Sequence, residues 1–290
     1  MEQLNKLKWI FFGTSKFSVI ILDELKKYGI MPMLVVTTED KPQGRKLVLT
    51  PPPVKIWAES NKIPFLQLKT LRTDEAFQEI KKTSGDNIDL TVVASYGKII
   101  PKNILDIPEH GTINVHPSLL PKLRGASPIE SAILSEKETG VTIIKLDEEM
   151  DHGPILAQEK TVDIEENNPP YADDLEQKLA KKSVEILIPV FEKIINRTIE
   201  PLEQNHSLAT FCQKLDKKDA LVNLSDDPVV NIKKVRAYQH LNPHFFDLNN
   251  KNKRVVIRKA SIQNGVFTIE KVTPEGGKEI AHQDYLNGIH

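Results

Sequence analysis

Residues 111–158 read GTINVHPSLLPKLRGASPIESAILSEKETGVTIIKLDEEMDHGPILAQ, and the rest of the chain is organised around them. The stretch opens with a short β run, Thr112-Ile113-Asn114-Val115-His116. Side chains two apart on a strand share a face, so Asn114 and His116 point one way while Ile113 and Val115 point into a core. Pro117 has no N–H to donate and stops the ladder. The polar pair therefore ends a strand, where open α/β sheets place their ligands. Ser118-Leu119-Leu120-Pro121 then leads to Lys122, Leu123, Arg124 and Gly125, a loop shaped by proline and glycine. Ser127 and Pro128 read as N-cap and first position of a helix, with Ile129, Ala132 and Ile133 at helical spacing. Val141 to Leu146 is a second strand, and Ile155-Leu156-Ala157 a third apolar run. Between them, Asp151 sits on a tight loop that can aim a carboxylate across a cleft.

An Asn, a His and an Asp on strand ends and loops suit chemistry at a carbonyl. The amide can donate to a developing oxyanion. The imidazole can donate or relay a proton near neutral pH. The carboxylate can accept a proton or hold the His in its useful form.

Taken together, Asn114-Val115-His116-Pro117-Ser118-Leu119-Leu120-Pro121, Arg124-Gly125, Gly140-Val141-Thr142 and Asp151-x-Gly153-Pro154 resemble the 10-formyltetrahydrofolate-dependent formyltransferases. The resemblance implies that Asn114, His116 and Asp151 are catalytic, and that His152, beside the Asp, is not. It also implies a folate wall built from Ser118, Leu119, Leu120 and Pro121, with Tyr96 and Gly97 lining the pterin pocket. 10-Formyltetrahydrofolate would be the formyl donor, and no metal would be needed.

Composition sets the frame. A chain of 290 residues has room for two domains, and 39% hydrophobic with 27% charged residues is globular. The formal net charge of −1 excludes a generic polyanion binder. Cys212 is the single cysteine, which rules out a disulfide framework or a thiolate cluster within one chain. No apolar run reaches the ~20 residues of a membrane span. The N-terminus does not read as a signal peptide. A monomer in the cytoplasm is the expectation.

Upstream, Leu7 to Phe12 reads as a strand, Phe17 to Tyr28 as an amphipathic helix and Met31 to Thr38 as a strand, a β-α-β unit of the doubly wound type. Gly13 stands alone where a dinucleotide fingerprint needs three glycines. Phe12-Gly13-Thr14-x-x-Phe17 resembles the opening of the methionyl-tRNA formyltransferase branch, with Ser15 in place of that branch's proline. Glu39 to Pro53 reads as a long, functional or mobile connection. By the same resemblance, Gly44-Arg45 with Lys41 and Lys46 would contact the acceptor end of methionyl-initiator tRNA. Ile63 to Leu66 is a short strand, Thr73 to Thr83 a helix and Ile88 to Ser95 a buried parallel strand.

Downstream, Thr161 to Ile164 is strand-like, and a helix runs from about Ala172 to Asn196, with Pro189 expected to kink it. Residues 197–209 lack periodicity and read as a linker. A helix at 228–239 and β runs at Arg254–Arg258, Ala260–Gln263 and Val266–Ile269 predict a small C-terminal β-barrel or sheet. From Thr210 to His290 there are thirteen Lys/Arg and nine Asp/Glu, a formal +4 that leaves −5 for the rest. That asymmetry favours phosphate contact. Lys214-Leu215-x-Lys217-Lys218-x-Ala220 and Val235-Arg236-Ala237-Tyr238 resemble the C-terminal domain of the same branch. The expected architecture is thus α/β: a Rossmann-like formyltransferase domain with a mostly parallel sheet at 1–196, a linker at 197–209 and an OB-like, tRNA-binding domain at 210–290. The expected reaction carries a formyl group to methionyl-initiator tRNA. Formylation of an amino sugar nucleotide and hydrolysis of the folate donor remain the alternatives.

Overall fold

The computed structural model describes residues 4–44, 47–247 and 252–288. β1 (Trp9–Gly13) is buried at every position, as a strand covered on both faces must be. α1 (Lys16–Lys27) buries Phe17, Ile21, Leu22 and Leu25, the stripe set by the 3.6-residue period. β2 (Leu34–Thr37) follows. The long connection after it is not irregular: it contains an exposed hairpin, β3 (Lys41–Gln43) and β4 (Val48–Thr50). Arg45 and Lys46 lie outside the described residues. α2 (Pro53–Ser60) starts on a proline at its first turn, and β5 (Phe65–Gln67) comes next. Thr73 caps α3 (Asp74–Ser84) by accepting from the Ala76 N–H. β6 (Leu90–Ala94), the short α4 (Lys102–Leu105) and β7 (Thr112–His116) lead into the central stretch.

There, β8 (Arg124–Gly125) precedes α5 (Pro128–Ser135), whose first turn carries the expected proline. Ser127 does not act as the expected cap. Its hydroxyl donates to the Gln213 carbonyl instead, a partner that local sequence cannot announce. β9 (Glu138–Lys145) and β10 (Ile155–Asp163) follow, the latter fusing the two runs expected at 155–157 and 161–164. α6 (Ala172–Ile195) contains Pro189. β11 (Phe211–Cys212) pairs with β8.

Among the described residues the main sheet has seven strands in the order β10-β9-β7-β6-β1-β2-β5. β5, β2, β1, β6 and β7 run parallel, and β9 is antiparallel to β7. The chain moves outward from β1 through β2 to β5, then returns to build β6 and β7 on the other side. The crevice between the ends of β1 and β6 is therefore the topological switch point, where such sheets bind ligands. The doubly wound, mostly parallel architecture is as expected. Beneath the crevice, Ile10, Phe12, Leu34, Val36 and Ile80 form part of a continuous core.

The remaining elements are α7 (Pro228–Ala237), β12 (His244–Asp247), β13 (Lys253–Gln263), β14 (Val266–Pro274), β15 (Ile280–Ala281) and α8 (His282–Leu286). β12 to β15 form an antiparallel sheet in sequence order, in keeping with the small barrel expected. The two runs at 254–258 and 260–263 are one strand, with a register irregularity between Ile257 and Ala260. Val222, Ile232, Val255, Ile257 and Val272 are among its core residues.

Contacts divide the chain into two compact units. One is Met1–Arg124, Gly140–Thr161 and Gln177–Phe211; the other is Gly125–Thr139, Val162–Glu176 and Cys212–His290. Residues 197–209, expected to link two domains, have defined partners within the first unit. Leu202 and Ile155 exchange backbone hydrogen bonds of 2.7 and 2.8 Å. Phe191 is fully buried and packs against Trp9 with ring centroids 6.0 Å apart. Phe191→Ala is expected to cost about 3–5 kcal/mol, measured as a lower urea midpoint at unchanged m-value.

Candidate active site

Asn114 and His116 end β7 on one face, nearly buried at 8% and 4% exposure. Asp151 lies in the loop between β9 and β10 with φ of +52°, a left-handed conformation that Asp tolerates better than most residues. The structure brings the three together. Asn114 Nδ2 donates to Asp151 Oδ1 at 3.3 Å, and His116 Nδ1 stands 3.5 Å from the same oxygen. On its other side, His116 Nε2 is 2.9 Å from the Leu123 carbonyl. A carbonyl has no proton to give, so Nε2 carries the hydrogen and Nδ1 is the nitrogen presented to Asp151. Neutral, Nδ1 offers a lone pair; protonated, it becomes a donor beside a carboxylate. Leu123 itself has φ of +59°, a strained conformation for a γ-branched side chain.

His152 takes no part in this cluster. Its Nδ1 pairs with Asp147 Oδ2 at 2.8 Å, and its ring stacks on His206 with centroids 4.1 Å apart.

The loop expected to wall a folate is held from beneath. The Ser118 hydroxyl donates to Lys122 O at 2.7 Å. The Thr142 hydroxyl donates to Ser118 O at 2.6 Å and accepts from Leu120 N at 3.1 Å. Gln158 Nε2 donates to Leu120 O at 2.7 Å and to Thr142 Oγ1 at 2.8 Å. Ser118 and Leu120 are buried, while Leu119 and Pro121 keep surface that a ligand can cover. The parallel register Val93↔Asn114 sets Tyr96 and Gly97 beside the end of β7. The Tyr96 side chain is core: its ring meets Phe12 edge-on at 5.2 Å, and burial pushes its hydroxyl far above the ordinary phenol range. That hydroxyl is buried without a hydrogen-bond partner among the described residues. Gly97 is exposed at φ of +76° and offers backbone to the crevice. Thr14 closes the switch point by donating to Tyr96 O at 3.1 Å. Lys41 is exposed on the hairpin strand β3.

Sequence reasoning left Gln204, Thr210 and the buried Arg124 without roles. Thr210 accepts from the Leu123 N–H through its hydroxyl at 2.9 Å and from the Arg124 N–H through its carbonyl at 2.9 Å. Gln204 bonds both Arg124 and the Asp151 loop. Neither Gln204 nor Thr210 stands in a periodic or motif-like stretch, so no local signal marked them. A cavity of about 920 Å³ opens at the opposite end of β7, around His110, Lys145 and Arg197, and includes none of the three clustered residues.

Comparisons with known proteins identify the family. A family description, formyl transferase, matches residues 6–191. The methionyl-tRNA formyltransferase of Thermotoga maritima is 42% identical over 234 residues, 80% of this chain and 72% of that protein. That of Dictyoglomus turgidum is 35% identical over 97% of this chain and 96% of its own length. The chain belongs to the methionyl-tRNA formyltransferase family. A solved 4-N formyltransferase from Francisella tularensis shares the fold at a TM-score of 0.65 and 22% identity, covering 87% of this chain and 97% of that one.

Within this formyltransferase, Gly153 fixes how the Asp151 loop meets β9. A Cβ there would lie 1.9 Å from the Lys145 carbonyl oxygen. Gly153→Ala is therefore expected to displace the loop, lowering kcat at least about tenfold and lowering Tm. Steady-state kinetics and a melting curve on one preparation check both.

Proposed function

We propose that this formyltransferase moves the formyl group of 10-formyltetrahydrofolate to the α-amine of methionyl-initiator tRNA. The observation that carries the reading is the cluster of Asn114, His116 and Asp151 at the switch-point edge of a sheet in a chain of this family. Asn114 and His116 act on the oxyanion and Asp151 on the amine. As the amine nitrogen bonds to the formyl carbon, the carbonyl electron pair moves to oxygen. Asn114 Nδ2 and protonated His116 Nδ1 donate to that oxygen. Asp151 takes the proton that the attacking nitrogen sheds, directly or through a water. Collapse breaks the bond to N10 of the folate, which leaves with a proton returned from the cluster.

The residues fit a flat, polar donor. Leu119 and Pro121 supply apolar surface on one side, and the Tyr96–Gly97 backbone supplies peptide groups on the other. Ser118 and Leu120 shape the wall from below. Lys41, Arg45 and Lys46 take the acceptor end of the tRNA. Residues 197–209 join a catalytic domain at 1–196 to a tRNA-binding domain at 210–290, whose formal +4 suits phosphate. A monomer working in the cytoplasm completes the reading.

The deciding assay supplies 10-formyltetrahydrofolate with methionyl-initiator tRNA, with free methionine or with no acceptor. Formylation confined to the charged tRNA is expected. Donor consumption without acceptor would make the chain a hydrolase, and inactivity with all three would turn the search to amino sugar nucleotides. His116→Ala should lower kcat about 10²–10⁴-fold with donor affinity little changed; a near-normal kcat would remove His116 from the mechanism. Arg45→Ala should raise KM for charged tRNA alone, and an unchanged KM would take the hairpin out of the tRNA site.

A further inference from the structure

We propose that Gln204 is a positioning residue for formyl transfer, a side-chain clamp that holds Asp151 in reach of Asn114 and His116. This rests on the reading of those three residues given above. The Gln204 side chain is 4% exposed, in a segment that sequence alone reads as a tether. Its amide nitrogen donates to three successive carbonyls, Asp151 O at 2.9 Å, His152 O at 3.0 Å and Gly153 O at 2.7 Å. Three carbonyls of consecutive residues converge on one point only because the chain turns sharply there, with Asp151 left-handed. Side by side, their dipoles repel; a shared donor offsets that repulsion and pins the turn.

The other end of the amide is fixed as firmly. Gln204 Oε1 accepts from Arg124 Nε at 3.2 Å and from Arg124 Nη2 at 2.7 Å, and Nη2 also meets His206 Nδ1 at 2.8 Å. The guanidinium is a donor only, which decides which end of the Gln204 amide faces it. The nitrogen is thereby forced toward the carbonyls. Arg124 is itself positioned by its backbone N–H bond to Thr210 O. The clamp therefore runs from the loop beyond His116, through Arg124 and Gln204, to the peptide of Asp151. It ties the two sides of the site together without touching the reacting atoms.

Two substitutions separate positioning from simple support. Gln204→Met keeps the length and loses both polar ends. Gln204→Glu keeps an acceptor for Arg124 but turns an oxygen toward the three carbonyls. Both are expected to lower kcat about ten- to a hundredfold, with donor Kd, read by equilibrium binding of 10-formyltetrahydrofolate, within about threefold of the parent. If Gln204→Glu retained full kcat, the bonds to Arg124 alone would matter and the proposal would fall. It would also fall if kcat and donor affinity declined together, or if both variants melted below the assay temperature, since the residue would then serve the fold in general. Asp151→Asn is run alongside. An active Asp151→Asn would overturn the reading of the site and this proposal with it, whereas an inactive Asp151→Asn with an unimpaired Gln204→Met would overturn only the clamp.

Discussion

The hydrogen bond from His116 Nε2 to the Leu123 carbonyl is the contact on which the site depends. It sets the tautomer and leaves Nδ1 facing Asp151. The carbonyl reaches the ring because Leu123 adopts a left-handed backbone that an ordinary leucine avoids. Such a conformation persists only where its surroundings over-determine it. Here Thr210 does so, taking the N–H groups of Leu123 and Arg124 from a point 87 residues further along the chain. The tautomer of one histidine is thus maintained by tertiary structure, not by its own strand.

Why polar chemistry gathers at this edge follows from the sheet. Parallel strands must be joined by crossovers, so each carboxyl end opens into a loop free to carry side chains. Below that edge, β1 and β6 are buried at every position. Tyr96 marks the boundary: its ring belongs to the core against Phe12, while its carbonyl accepts the Thr14 hydroxyl across the switch point. A second bond does the same one turn deeper, where the Ser18 hydroxyl donates to Ala94 O at 2.6 Å. Two backbone carbonyls at the floor of the crevice are therefore already satisfied, and above it Asn114, His116 and Asp151 face one another.

What could be read from sequence was what local rules encode. The two-residue period placed Asn114 and His116 on one face, Pro117 ended the strand, and the alternation of apolar strand and amphipathic helix gave the doubly wound order. What could not be read was chosen by distant partners. Ser127 has the composition of a cap, yet the Gln213 carbonyl takes its hydroxyl. The hairpin β3–β4 is exposed at nearly every position, so it carries no burial period, and its proline and charges resemble a loop. Gln204 occupies an aperiodic stretch, and its role is defined by carbonyls 51 to 53 residues earlier. Hydrogen-bond partners of that separation leave no trace in spacing.

The same three groups could serve water as well as an amine. A carboxylate can act as general base to either, because either nucleophile becomes acidic only as its new bond to carbon forms. What separates the two is nucleophilicity and position. An α-ammonium group has a reference pKa of about 7.7–8.0, so near neutral pH an appreciable fraction of such amines carries a free lone pair, a far stronger nucleophile than that of water. In the proposed reaction, an amine held beside the formyl carbon would therefore outrun water, whereas a site left open would admit it. The choice of acceptor thus rests less on the base than on what holds the amine in place and keeps water out.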